Sequence, residues 1–279
     1  MSIQLKGKVI LITGASSGFG EDTARLFAAE GACVILAARR VDRMQVEVAR
    51  IQAAGGEAMA VPVDVNNRAD IDNMVQSVIE NYERIDILFN NAGFGRLDWF
   101  DQLVAKRDIQ TQVNVNLIGL MEVTHAVLPH MFAQRSGHII NMSSVAGWIA
   151  APMYSVYAAS KFGVRGFTDA LRREVRVHGV HVSGIYPGPA LTEFGQHTGA
   201  SVLTNDFKVP AWTFMTSEYV ARRVVGLAKR PRRALIIPWW FRPVLWAEAN
   251  FPGGVDWVLD QFFVKKYRKY GDSNDQRPS

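Results

Sequence analysis

Seven short apolar runs punctuate the chain, at 9–13, 33–38, 58–63, 85–90, 138–142, 180–186 and 234–238. Most are rich in Val, Ile and Leu without polar alternation, the pattern of strands covered on both faces. The stretches between them predict helices over 18–30, 42–54, 67–82, 112–134, 155–178 and 217–229. Strands alternating with helices predict βαβ units and a parallel sheet, and right-handed crossovers place helices on both of its faces. The expected fold class is therefore α/β, a doubly wound parallel sheet, in a single domain over residues 1–270. The alternation fails over 189–215, where Gly, Pro, Thr and scattered aromatics predict an irregular loop or lid. Residues 271–279 read as a loose polar tail.

The 279 residues, 48% of them hydrophobic, suffice for one sizeable core. The single cysteine, Cys33, excludes an internal disulfide and reads as a small packed hydrophobe. No uncharged apolar run approaches the ~18 residues of a membrane-spanning helix. The start, MSIQLKGKVILITG, lacks the pattern of a secretory leader, so a cytoplasmic location is expected. Six scattered histidines without an HExxH pattern, and one cysteine, give no expected metal site. The net charge of +5 is unevenly placed. Residues 229–270 hold nine basic against three acidic residues, a net of +6, whereas residues 1–228 are neutral. No recognised nucleic-acid module accompanies that basic segment, so nucleic acid is not an expected partner.

After the first run comes TGASSGFG, Thr13 to Gly20, and then the first helix. Its glycines, at 14, 18 and 20, permit a tight turn and close backbone approach, and the helix N-terminus offers N–H groups to a pyrophosphate. An ordinary Gly-rich turn has the same look. The second run ends Ala37-Ala38-Arg39-Arg40. Where an NAD site usually carries an acid for the ribose hydroxyl, this chain has Ala38, followed by arginines suited to a 2′-phosphate. Arg39 is the favoured ligand and Arg40 is expected to face solvent; the alternative is a pair of solvated loop charges. Tyr157 and Lys161 lie four residues apart, one helical turn, so the ammonium is expected to lower the tyrosine pKa. Tyr154 is too far along the axis to be tuned by Lys161 and is assigned to the substrate wall.

The ordered set TGxxxGxG, Asn90 to Gly93 (NNAG), Asn116, Ser144, Tyr157-x-x-x-Lys161 and Tyr186-Pro-Gly resembles the classical short-chain dehydrogenase/reductase family, over residues 13 to about 192. The resemblance implies a Rossmann-type fold and interconversion of a carbonyl and a secondary alcohol. It assigns the catalytic set to Asn116, Ser144, Tyr157 and Lys161, with Ser143 structural. It implies an NADP(H) site formed by Gly14, Ser16, Ser17, Gly18, Phe19, Gly20, Arg39, Arg40, Asp64, Val65, Asn91, Ala92, Gly93, Pro187, Gly188 and Thr192, with Tyr157 and Lys161. Asp64 reads equally as a turn residue. A homodimer or homotetramer through the two central helices is also implied.

Phe94, Trp148, Met153, Tyr154, Phe194 and Trp212 are candidates for an apolar substrate pocket, fit for a steroid, retinoid, lipid or aromatic ketone; each serves equally as packing. The segment 238–270 carries four of the seven tryptophans and closes with a run of cations. It suits a pocket wall, a subunit contact or a peripheral membrane contact. The contrasting function is a nucleotide-binding scaffold or redox sensor without turnover, which NADPH oxidation over a panel of hydrophobic ketones distinguishes from an enzyme.

Overall fold

The computed structural model describes residues 2–191, 214–265 and 268. A seven-stranded parallel sheet runs in the order β3-β2-β1-β4-β5-β6-β9. Its strands are β1 Val9–Thr13, β2 Cys33–Ala38, β3 Glu57–Pro62, β4 Ile87–Asn90, β5 Gly137–Met142, β6 Val180–Pro187 and β9 Ala234–Ile237. Residues alternate between two cores. Ile10 and Ile12 join Val34, Leu36, Phe27 and Val224 on one face, while Val9 and Leu11 join Ile35, Leu88, Val78 and Val127 on the other. Burial on both faces is why these strands show no polar alternation.

Helices α1 Gly18–Ala29, α2 Val41–Ala53 and α3 Arg68–Tyr82 follow the first three strands. The chain is then helical from 105 to 134. π-helical turns at Ala105–Gln110 and Asn114–Gly119 flank α4 Thr111–Val113 and lead into α5 Leu120–Gln134. This begins seven residues before the expected 112, because the polar AKRDIQT stretch carries no apolar stripe. α6 Ser155–Glu174 ends in a 3-10 turn at Val175–His178, and α7 Ser217–Lys229 lies against α1. Strand β4 starts two residues later than the apolar run, since the Asp86 carboxylate accepts from Val9 N (3.0 Å) and Lys8 Nζ (2.8 Å) instead of continuing the pleat.

The two edges of the stretch expected to be irregular pair with each other. β7 Ala190–Leu191 pairs in parallel with β8 Met215–Thr216, and Met215 N donates to Pro189 O at 3.0 Å. Beyond β9, α8 Phe241–Asn250 and α9 Pro252–Leu259 form a helical pair that continues as a π turn over Asp260–Val264.

Strand order reverses between β1 and β4, and the carboxyl ends there form the crevice where open α/β sheets take ligands. A buried polar ladder fixes its floor. Asn90 Nδ2 donates to Thr124 Oγ1 (2.9 Å) and Asn141 Oδ1 (3.0 Å), and Asn141 Nδ2 donates to Thr168 Oγ1 (2.9 Å). These bonds fasten α5 and α6 to β4 and β5; stranding a buried partner would cost about 1–3 kcal/mol each.

Candidate active site

The glycine loop is fitted to its neighbour. Gly14 has φ +66°, and a Cβ there would stand 2.7 Å from Ala92 Cα. Thr13 Oγ1 accepts from Asn91 N and Ala92 N (both 3.1 Å), while Asn91 Nδ2 donates to Thr13 O and Gly14 O (both 3.1 Å). The Asn91 side chain is thus committed to holding the loop. Thr13 was not singled out from the sequence, although its place at the end of β1 before the first glycine was the available signal.

Ser17 is the N-cap of α1 yet makes no capping bond with its side chain. Its Oγ instead accepts from Arg40 Nη2 (2.6 Å), and Ser16 Oγ accepts from Arg40 Nε (3.1 Å). Arg40, expected to face solvent, is exposed but also brings its guanidinium to the glycine loop. The turn into α2 directs it: Arg40 is the residue before the first helical position and turns its guanidinium back to Ser16 and Ser17, although both arginines are exposed. Two serine hydroxyls, a guanidinium and a helix N-terminus beside a glycine cradle form a donor set that fits a dinucleotide with a 2′-phosphate. Asp64 makes an Asx turn, Oδ1 accepting from Asn66 N at 3.0 Å, and buried Val65 packs on Gly119, where a Cβ would stand 2.7 Å from Val65 O.

Ser144, Tyr157, Lys161 and Asn116 converge at the ends of β4, β5 and β6. Ser144 Oγ donates to Pro187 O (3.3 Å), accepts from Ala146 N (3.1 Å) and hydrogen-bonds the Tyr157 side chain. Lys161 Nζ donates to Met142 O at 3.0 Å and lies 5.7 Å from the Tyr157 ring centroid. Asn116 is fully buried in the π turn. Its Oδ1 accepts from Phe94 N (2.9 Å), and its Nδ2 donates to Phe94 O (2.8 Å) and Ser160 Oγ (3.2 Å). Ser160 Oγ also donates to Tyr157 O (2.7 Å), so it ties Asn116 to the tyrosine's helix, a link that spacing did not reveal. Gly93 closes the cluster: a Cβ there would stand 3.1 Å from Asn116 Oδ1 and 3.5 Å from Lys161 Nζ. Ser143 Oγ donates to Lys161 O at 3.0 Å, so its part is structural.

Burial pushes the Tyr157 hydroxyl well above the ordinary tyrosine range; the Ser144 hydrogen bond opposes this, and nearby Tyr154 adds to it. Lys161 falls to about 8, also through burial. The expected lowering of Tyr157 by Lys161 is therefore corrected. The ammonium sits against the ring and bonds Met142 O, and desolvation of the phenol outweighs any field it exerts.

Tyr157 packs with Leu97, Ala146 and Tyr154, the two tyrosine rings meeting edge to face at 6.2 Å. Met153 is buried with φ +68°, and its carbonyl accepts from Asp98 N at 3.2 Å. Trp148 shows the packing alternative of its two readings. Its ring stacks under the Arg165 guanidinium at 3.3 Å and meets Tyr186 edge-on at 5.6 Å. Thr192, Phe194 and Trp212 lie outside the described residues.

Comparison with known proteins agrees with this arrangement. Residues 8–202 match the model of the family described as short chain dehydrogenase. An uncharacterized oxidoreductase of Listeria innocua is 42% identical over 191 residues, 68% of this chain and 77% of that protein. Among solved structures, a short chain dehydrogenase/reductase from Burkholderia phymatum in complex with NAD has a TM-score of 0.79 at 26% identity, covering 88% of this chain and 94% of that one. An actinorhodin polyketide ketoreductase with NADPH has a TM-score of 0.75 at 30% identity, covering 85% and 97%.

Proposed function

The chain belongs to the short chain dehydrogenase family and is an oxidoreductase of that family, and on this premise we propose that it interconverts a carbonyl and a secondary alcohol with NADP(H). The observation that carries the reading is the convergence of Ser144, Tyr157 and Lys161 beside the glycine loop. Solved relatives were captured with NAD and with NADPH, so a nicotinamide cofactor alone does not choose between them. Arg40 on Ser16 and Ser17, with Ala38 in the acid's place, supports NADP(H).

When bound, the cofactor supplies or takes up the hydride. Tyr157 holds the proton: at neutral pH its buried hydroxyl stays protonated and ready to donate to a carbonyl oxygen. Ser144, turning its one hydroxyl hydrogen from Pro187 O, donates to that oxygen and orients it. Lys161, ammonium below about pH 8, sits one turn away and balances the negative charge that develops on the tyrosine oxygen. Gly93 leaves room for Lys161 and Asn116, and Asn116 fixes the Phe94 backbone on the opposite wall. Leu97, Ala146 and Tyr154 pack against Tyr157, and Met153 beside Tyr154 is buried, an apolar setting that supports a hydrophobic substrate such as a steroid, retinoid, lipid or aromatic ketone. Water is thereby kept from the proton-transfer step.

Tyr157→Phe tests the proposal. It is expected to retain NADPH binding by fluorescence titration and to lose turnover by at least about a hundredfold, the scale of a positioned general acid. Turnover near that of the unmodified protein would remove Tyr157 from the reaction.

A further inference from the structure

The helical pair after β9 presents an aromatic surface that is exposed among the described residues. Trp239, Trp246, Phe251, Trp257 and Phe262 are 60 to 73% exposed. From Phe251 to Val258 every residue except Val255 is exposed, and Asp256 is the only charge among them. Large apolar side chains concentrated this way mark an interaction surface rather than ordinary surface scatter. Trp246 and Phe251 meet at 5.6 Å, so the aromatics of α8 and α9 form one surface across the bend between the helices.

Two contacts place this surface over the mouth of the crevice. α8 begins against the Pro187–Gly188 turn, where a Cβ at Gly188 would overlap the Phe241 ring. After the π turn, Arg268 donates to both carboxylate oxygens of Asp101 (2.9 and 3.1 Å) and lies 4.8 Å from the Trp99 ring centroid. The neighbouring Asp98 is bonded to the Met153 carbonyl in the wall beside Tyr154. The extension thus starts at one rim of the site and is fastened to the other.

We infer that α8 and α9 dock this chain on an anionic membrane surface, with the mouth of the crevice at the lipid boundary. Tryptophan favours that interface, where its ring is buried and its N–H stays hydrated. The charge fits as well: residues 1–228 are neutral and 229–270 carry +6, with exposed Arg242 on one side of the aromatics and Lys265, ion-paired to Asp260 at 3.1 Å, on the other. Among the described residues no helix is long and apolar enough to cross a membrane, so the contact lies in the interfacial plane. The inference concerns the surface alone and stands whichever substrate the site takes.

The test is sedimentation of the full chain with vesicles of phosphatidylcholine alone and of phosphatidylcholine with equimolar phosphatidylglycerol. The unmodified chain is expected to pellet with the anionic vesicles, with its tryptophan emission shifted to the blue. Combined Trp246→Ser, Trp257→Ser and Phe262→Ser is expected to weaken binding at least about tenfold, because binding scales with the apolar area inserted. Arg242→Glu with Lys265→Glu, which removes no apolar group, is expected to weaken binding to the anionic vesicles only. Three results overturn the inference: no pelleting of the unmodified chain, equal partitioning of the serine variant, or equal binding to both lipid mixtures. A fall in oligomeric state with the serine substitutions, seen by sedimentation equilibrium, also overturns it by assigning the surface to a second copy.

Discussion

Replacing Lys161 by methionine keeps the side chain's length and removes its charge. The folded site holds this lysine at about 8, against an ordinary value of 10.5. At about 1.4 kcal/mol per pKa unit, that gap corresponds to about 3 kcal/mol of strain in keeping the ammonium buried. Between those two values the unfolded chain carries the proton and the folded chain does not, so the lysine's contribution to stability rises with pH and is lost as pH falls through about 8. The methionine variant has no such term. The stability difference between the two proteins should therefore move in favour of the lysine protein by about 2–3 kcal/mol between about pH 7 and about pH 10. Effects that do not vary with pH, including the variant's loss of packing or of the bond to Met142 O, cancel in that change. Urea unfolding of each protein at the two pH values measures it. A difference that stays constant with pH would refute the depressed lysine, and with it the assignment of Lys161 as a proton-responsive member of the site.

Arg40→Ala is expected to weaken NADPH binding about 30-fold or more, the worth of a charge-assisted contact, and to leave NADH binding nearly unchanged; Arg39→Ala should do much less, with fluorescence titration of both nucleotides as the measure. Gly14→Ala combines a left-handed backbone with a Cβ 2.7 Å from Ala92 Cα, so a loss of at least about 2 kcal/mol in urea unfolding is expected, together with loss of nucleotide binding. Trp148→Ala should lower stability by about 2 kcal/mol, as a large half-buried ring lost from its Arg165 and Tyr186 neighbours, while leaving KM unchanged across a panel of ketones.

The doubly wound sheet was legible because periodicity is local. β1 and β2 begin and end with their apolar runs, whose every second residue serves a different face. The site motifs were legible for a related reason: each sits at the end of a strand or in the first turns of a helix, where a glycine or a fixed spacing marks it. What escaped depended on direction. Arg39 and Arg40 are neighbours in sequence, and only the turn into α2 decides which one reaches Ser16 and Ser17. Trp148 lies four residues past Ser144, but Arg165 and Tyr186 draw it away from Tyr157. The four-residue spacing of Tyr157 and Lys161 gave their proximity and not their burial, and burial dominates both pKa values. The π turn over Asn114–Gly119 left no trace in the hydrophobic pattern, since one extra residue per turn shifts a face without changing its composition.

The short pairing of Ala190–Leu191 with Met215–Thr216 has a consequence for how such a protein can diversify. Met215 is buried in the main core, and its amide is bound to Pro189, so both ends of the intervening segment are pinned to the scaffold. Whatever is spliced between those pins leaves the register of β6, and hence the height of Ser144 against Pro187, where it was. Lengthening such a loop costs only slowly growing closure entropy. The ladder works as a socket: the chain spliced into it can be exchanged while the arrangement of Ser144 on Pro187 is inherited intact.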